Sequence, residues 1–576
     1  MTTNQVAGWR CALAVFALAG NLPWPAPARL AADETAIRLN TVGYLPAAAK
    51  RASVVASGGA KFRVLPADET TPAFEGTLSS TVHNEDTREE LAIADFTAVE
   101  IEGDYRLEIE GVGASAPIRI APDLYREPFR TAVRGMYLWR CGTAVAGEHN
   151  GQTFTHEACH LADGYLDYVG GGHERRPGGG GWHDAGDYNK YVVNSGVTVG
   201  VMFRAWEDFH TQIELIELGL PEAGGPLPEF LAELKWQIDW LLTMQADDGS
   251  VYHKLSTENF GAMILPERET TDRFFVPWGS NATADFVAMT AMASRHFKPY
   301  DPAYADHCLK AARKSYNFLA AHPEPHRADQ SGFTTGGYES EDWDDRLWAE
   351  AEIWEATGDA ATLAAFESRL KSLSSENSEP GRPRPRRGRG GRTPTIDVDF
   401  DWGNVKNLGL LTYLFSSREG RDGALVDQIR ESLIDAADQI VATSREHGYA
   451  RPLGARYYWG CNGSVARQTV VLEAARRLTG DDSYRAIQLD ALNHLFGRNP
   501  YGRSFVTGLG LLPPLHPHDR RSAGDDVADP WPGYLVGGGH PSALDWRDEQ
   551  NDYRTNEIAI NWNAALIYAL AAQLPD

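Results

Sequence analysis

The sequence predicts a mainly α protein that carries a small all-β sandwich at its N-terminal end. Between residues 37 and 121 lie short β-rich segments separated by Gly, Pro, Asp and Asn, the texture of an antiparallel sandwich. After Pro122 the pattern changes to long stretches with helical spacing of apolar residues, about a dozen in all. At 576 residues the chain exceeds the ~250–300 at which single cores stop growing, so a large domain with an appendage is expected.

At the start, a single basic residue, Arg10, precedes an apolar run over 11–20 and a Pro-rich stretch with small residues at Ala26, Ala28, Ala31 and Ala32. Residues 1–32 therefore resemble a secretory signal, too short to span a bilayer, with a plain leader as the alternative. Export makes the protein secreted or periplasmic. Cys11 opens the apolar run instead of following it, which argues against a lipoprotein site. Without Cys11 only Cys141, Cys159, Cys308 and Cys461 remain, too few for a disulfide-built scaffold.

The sandwich is expected over 35–121, with strands at 37–42, 52–56, 61–65, 91–96, 104–110 and 118–121 and a boundary near 121–128. The second domain, 125–576, opens its helical pattern at 128–140 and 193–217. Leu227, Phe230, Leu231, Leu234, Ile238 and Leu241 then form one stripe. Further helices are expected at 283–296, 303–321, 344–357, 361–373, 404–416, 424–445, 463–478, 483–496 and 556–573. Long irregular loops separate them, as in a closed helical array with its functional loops at one end. Residues 374–394 stand apart: arginines among Gly and Pro, from Arg382 to Arg392, cannot build a core and read as a disordered surface insertion. Binding of a polyanion by this segment is the sharper alternative.

The net charge of −25 repels nucleic acid and anionic membranes and leaves a neutral ligand unopposed. Sixteen Trp and twenty-two Tyr are more aromatic surface than packing alone needs, and sugar-stacking platforms would use it.

The most informative stretch is Gly178-Gly-Gly-Gly-Trp182-His183-Asp184-Ala185-Gly186-Asp187-Tyr188, where two carboxylates follow a glycine run. Such stretches are commonly turns, because Asp bonds its own backbone and Gly takes positive φ. Repulsion between Asp184 and Asp187 can lift one pKa while the other stays ionised, the poise a water-activating base uses. Glu557 lies just inside an expected apolar helix start, where desolvation raises a carboxyl toward general-acid range. A helix N-terminal Glu that complements the macrodipole is the alternative. A third stretch, Phe496 through Ser504 and Thr507 to His516, His518 and Arg520, supplies polar donors in a loop.

Together these stretches resemble the signatures of glycoside hydrolase family 9, the inverting cellulases. The motif aromatic-x-Asp-x4-aromatic-x3-Glu-x-small-x3-Asn-small is met by Trp546, Asp548, Tyr553, Glu557, Ala559, Asn563 and Ala564. The Ser504…His518-x-Arg520 motif also fits, except that Leu512 stands where the family prefers Asn, Lys or Arg. Ile37-Arg-Leu-Asn-Thr-Val-Gly43-Tyr44-Leu45-Pro46 resembles the opening of the immunoglobulin-like module of one branch. The resemblance implies a six-hairpin (α/α) barrel behind an immunoglobulin-like sandwich. It implies Asp187 as general base, Asp184 as its water-holding partner and Glu557 as general acid. It also implies His518 and Arg520 as donors to the sugar, and Asp548 as an auxiliary acidic residue of the catalytic set. Inverting glycosidases need two carboxyls about 6.5–9.5 Å apart on opposite faces of the scissile bond.

Cys141, Cys159, His160 and His183 lack zinc-finger spacing, and spacing alone equally fits a Cys141–Cys159 disulfide. The resemblance implies a structural zinc on these four residues. Four protein ligands would leave no open position for catalysis. The acidic loop 334–345, with Glu339, Glu341, Asp342, Asp344 and Asp345, suits either calcium or a solvated turn. Trp343, Trp402, Trp459 and Trp531 sit in loop-like contexts where an indole could stack on sugar or belong to the core. The expected activity is endo-β-1,4-glucanase on cellulose or related β-glucans, from a monomer that needs no organic cofactor. Its alternatives are an exo-acting relative on cello- or glucosamine-containing oligosaccharides, and a non-catalytic carbohydrate binder.

Overall fold

A computed structural model describes residues 36–376 and 393–575; the expected signal at 1–32 and residues 377–392 of the 374–394 insertion lie outside the described residues. The N-terminal region is a two-sheet sandwich. One sheet orders β1 (Ile37–Arg38), β2 (Arg51–Val55), β6 (Glu89–Asp95) and β5 (Val82–Asn84). The other orders β4 (Phe74–Thr77), β3 (Lys61–Pro66), β7 (Gly103–Ile109) and β8 (Gly113–Ala114), with β9 (Ile118–Ile120) on β7. Alternate residues point inward, so Phe62, Val64, Ala92, Ala94, Phe96 and Leu107 form its core. Strands β4 and β5 are short and largely exposed, which is why no apolar alternation announced them.

The rest of the chain is a barrel of helical hairpins. Six helices are buried on all sides through most of their length: α2 (Val192–Ile213), α4 (Ser280–Phe297), α6 (Trp343–Thr357), α8 (Lys406–Phe415), α10 (Cys461–Thr479) and α14 (Ile560–Ala571). A helix apolar or buried all round belongs inside a large domain. Six others keep one buried stripe: α1 (Arg126–Leu138), α3 (Glu229–Thr243), α5 (Pro302–Ala321), α7 (Ala360–Glu376), α9 (Gly423–Glu446) and α11 (Ser483–Leu495). In α5 that stripe is Ala305, Cys308, Ala312, Ser315 and Leu319, spaced by three and four. Inner helices α2, α4, α6 and α8 neighbour one another in turn, as do α10, α14 and α2. The outer helices pack around them: α3 against α2 and α4, α5 on α4, α7 on α6, α9 against α8 and α10, α11 on α10 and α1 on α14. This is the expected (α/α) barrel.

Short elements decorate one end of the barrel. A hairpin pairs β10 (Val145–His149) with β11 (Gln152–His156). A small sheet orders β13 (Gly172–Arg175), β12 (Tyr165–Leu166), β16 (Phe274–Phe275), β15 (Lys254–Ser256) and β14 (Lys190–Tyr191). Two short helices, α12 (Arg520–Gly524) and α13 (Tyr553–Asn556), complete the chain.

Sandwich and barrel share a buried polar seam. Asn40 donates to Tyr125 Oη at 3.1 Å and to Asn493 Oδ1 at 3.0 Å, while the Thr41 N–H donates to the Phe496 carbonyl. The first expected strand thus shortens to Ile37–Arg38, because Asn40 and Thr41 spend their bonds on the barrel.

Candidate active site

The inner helices begin at a common end of the barrel, and the segments leading into them converge there. Asp184 and Asp187 precede α2, Tyr338 precedes α6, Trp402 precedes α8, Trp459 precedes α10 and Glu557 precedes α14. Helix N-termini carry the positive end of the macrodipole, so this face suits carboxylates.

Asp184 is 2% exposed and fully engaged: Asn194 Nδ2 donates to Oδ1 at 2.8 Å and Tyr338 Oη donates to Oδ2 at 2.7 Å. Burial first, and the charge of Asp187 second, push the Asp184 carboxyl up to about 8 against those donors. At Asp187, both donors address Oδ2, Asn189 Nδ2 at 2.7 Å and Tyr191 Oη at 3.0 Å. These two bonds leave Oδ1 for a ligand. Tyr191 and Tyr338, each holding one aspartate, pack ring to ring at 4.8 Å. The sequence reading missed Tyr338, Tyr191, Asn189 and Asn194. Their only signal is polarity at helix-start positions that the structure buries.

Glu557 differs from its expected setting. It lies in extended backbone (φ −72°, ψ 158°) between α13 and α14, not inside a helix. Its main chain makes a parallel bridge with His518, and its carbonyl accepts the Gly537 N–H at 3.0 Å. That pairing holds the chain out of helix until Ile560, whose N–H donates to the Asp184 carbonyl at 2.9 Å. Burial, then the charges of Asp187 and Asp184, raise the Glu557 carboxyl well above its usual range; Arg520 and the Gly186 N–H oppose them.

His518, Arg520 and Asp548 are each held by the surrounding loops. His518 Nδ1 lies 2.7 Å from the Gln550 carbonyl, which can only accept, so Nδ1 carries the proton. Burial keeps the ring's pKa down, and a neutral His518 presents Nε2 as an acceptor instead of the expected donor. Arg520 sends Nη1 to the Gly186 carbonyl at 2.7 Å and Nη2 and Nε to the Gly261 carbonyl at 3.1 and 3.3 Å. It clamps the aspartate loop to the 257–272 segment. Asp548 was expected in the catalytic set, yet it accepts from the N–H groups of Leu515 (2.8 Å) and His516 (2.9 Å), from Asn556 (3.3 Å) and from Arg503 (3.1 Å). With its lone pairs so occupied, Asp548 shapes the loop that carries His518.

Cys141, Cys159, His160 and His183 come together with their ligand atoms all within 4.8 Å. The β10–β11 hairpin returns Cys159 and His160 to Cys141, and a left-handed φ of 52° at His160 lets two consecutive side chains face one point. Cys141 Sγ is 3.8 Å from His160 Nδ1 and Cys159 Sγ 3.7 Å from His183 Nε2. Zn–S and Zn–N bonds of ~2.3 and ~2.05 Å at a tetrahedral angle put S and N about 3.6 Å apart, so the donor set fits zinc. Neither thiol is in a disulfide. Bound there, zinc would brace the fold.

The 334–345 loop, by contrast, disperses its acids. Glu339 and Glu341 are exposed, Asp342 pairs with Arg346, Asp344 accepts the Val405 N–H, and Asp345 turns into the core. Its contribution to the site is Tyr338. The tryptophans separate as well: Trp531 is core, Trp402 packs on Tyr338, and Trp459 is 47% exposed beside Tyr553.

With this arrangement in view, comparison with known proteins is direct. Residues 32–114 match the cellulase N-terminal Ig-like domain, and residues 125–570 match glycosyl hydrolase family 9. Endoglucanase D of Acetivibrio thermocellus is 52% identical over 541 residues, covering 93% of this chain and 83% of that protein. A family 9 structure from Bacteroides ovatus superposes with a TM-score of 0.84 at 30% identity, covering 94% of this chain and 99% of that one. A Zn-binding triple mutant of the family 9 endoglucanase J30 superposes at 0.82, also at 30% identity, covering 92% and 100%. Two matched domain models, a half-identical relative and a shared fold over nearly the whole length make this chain a member of glycosyl hydrolase family 9.

Proposed function

We propose that the protein is an exported endo-β-1,4-glucanase that hydrolyses cellulose or a related β-glucan with inversion, working as a monomer with a sandwich at 35–121 and a catalytic domain at 125–576. One observation carries the reading: a protonatable Glu557 shares one end of the barrel with two aspartates held in different hydrogen-bond environments. Its similarity to endoglucanase D supports the substrate class.

In this reading Glu557 donates its proton to the glycosidic oxygen as the bond to the anomeric carbon breaks. Asp187 Oδ1 takes a proton from the water that attacks the opposite face. Asp184, held in place by Asn194 and Tyr338, positions that water. A neutral His518 accepts from a sugar hydroxyl, and buried zinc on Cys141, Cys159, His160 and His183 anchors the loop through His183.

The test is direct. Asp187→Asn and Glu557→Gln should each lose more than about a hundredfold in reducing-sugar release while their circular dichroism stays native. Proton NMR of early product should show the α-anomer first. A rapid viscosity drop of carboxymethylcellulose marks endo cleavage, and slow release of one small product would replace it with an exo reading.

A further inference from the structure

Zinc ligand His160 turns its second ring nitrogen away from the metal point. His160 Nε2 donates to Glu269 Oε2 at 3.3 Å, and both side chains are buried. A ligating histidine whose far N–H is held by a carboxylate is fixed in ring orientation and made more basic. Glu269 belongs to the 257–272 segment, and that segment faces the active site. The Thr257 N–H donates to Asn189 Oδ1 at 2.9 Å, and Asn189 in turn holds Asp187. The Gly261 carbonyl is gripped by Arg520, and Phe260, beneath the same guanidinium at 5.7 Å, is 52% exposed.

Glu269 connects the two ends of this segment. A Cβ on Gly261 would lie 2.0 Å from Glu269 Oε1, so the carboxylate is tucked directly beneath the Gly261 backbone. The path His160, Glu269, Gly261, Arg520, Gly186 therefore runs from the metal centre to the aspartate loop. It is separate from the covalent route through His183 and Asp184.

We propose that Glu269 is a positioning residue that couples the metal centre to the substrate-facing 257–272 segment, so that loss of this carboxylate or of the metal loosens Phe260 and weakens substrate binding before it slows the chemical step. The substrate side of this inference rests on the glucanase reading above; the metal and loop side does not.

The experiment measures both sides on the whole protein. In Glu269→Gln, zinc release to a chromogenic chelator should be about tenfold to a hundredfold faster than in the parent, the cost typical of losing such a partner. Hydrogen–deuterium exchange should rise in peptides covering 257–272, and the chelator-stripped parent should show the same rise without any mutation. On a soluble cello-oligosaccharide, KM should increase several-fold with kcat within about twofold, the signature of lost ground-state binding. Phe260→Ala should raise KM while leaving zinc release unchanged. Parental zinc release and exchange in Glu269→Gln would overturn the coupling whatever the substrate proves to be. A fall in kcat at constant KM would overturn the binding assignment. If no substrate is turned over by the parent, the exchange and zinc arms still decide the coupling and the glucanase reading alone fails.

Discussion

A Cβ placed on Gly186 would lie 2.1 Å from the carbonyl oxygen of His518 and 3.0 Å from its ring. Gly186 separates Ala185 from Asp187, and His518 pairs with Glu557, so this contact sets the general base and general acid against each other. No side chain fits without moving backbone. Gly186→Ala should therefore lose at least about a hundredfold in kcat/KM, since misplacement by an ångström costs that much, while the hydrophobic cores remain folded. The check is steady-state kinetics beside a thermal melt. An Ala variant with near-parental kcat/KM would show that the two loops adjust independently.

The alkaline side of the pH–rate profile belongs to Glu557. A general acid must be protonated, and burial together with Asp187 and Asp184 raises this carboxyl well above the ordinary Glu range. Activity should persist past the pH at which an exposed glutamic acid would be ionised, then fall as Glu557 loses its proton. Asp184→Asn removes one of the negative charges that raise it, so the residual activity of that variant should lose its alkaline limb at lower pH. An unmoved limb would assign it to another group.

Leu512 occupies a left-handed backbone conformation, with φ at 48°. Its carbonyl accepts Arg503 Nε at 2.8 Å, which holds the turn in place. For a residue with a Cβ this conformation costs roughly 1–2 kcal/mol, and Asn tolerates it best among non-glycine residues. The sequence flagged Leu512 only as a departure from the family motif, and the backbone explains why Asn suits the position. Leu512→Asn should raise unfolding free energy by about 1 kcal/mol in chemical denaturation, less whatever burial the leucine supplies. A loss of stability would mean that leucine packing outweighs the strain.

Legibility followed the range of the signal. Helix α5 alternates buried and exposed residues on one stripe, and its expected span, 303–321, nearly matches Pro302–Ala321. Inner helices such as α2 and α14 are buried all round, so nothing in their pattern marks an end: 193–217 became Val192–Ile213, and 556–573 became Ile560–Ala571. That slip moved Glu557 from helix to extended chain, through pairing with His518 that is long-range in sequence. The acids themselves were legible as motifs. Their holders were not, because Tyr338 reaches Asp184 from 154 residues away and no local rule predicts that contact. The same holds for Glu269, which meets His160 across 109 residues.

Beneath the catalytic floor, Asp285 of α4 and Asp345 of α6 are wholly buried against each other, and no third described residue donates a hydrogen bond to their carboxyl oxygens. Gly196 of α2 leaves room for them, since a Cβ there would meet Asp285 Cγ at 2.7 Å. Burial raises both carboxyls well above their ordinary range; the charge of Asp285 and then that of Asp344 raise Asp345 further. A proton held in the native state and released in the unfolded state makes stability fall as pH rises above the unfolded pKa near 3.8. The slope is about 1.4 kcal/mol per pH unit for each such group while the native form stays protonated. Asp345→Asn keeps the shape, supplies a permanent donor to Asp285 and deletes one titrating proton. Its unfolding free energy should exceed the parent's at pH 7, approach it toward pH 4, and show the shallower slope between them. Denaturant titrations at pH 5, 6 and 7 measure this. A parental slope with lower stability at pH 7 would mean that Asp345 is ionised in the folded protein and held by something other than a shared proton.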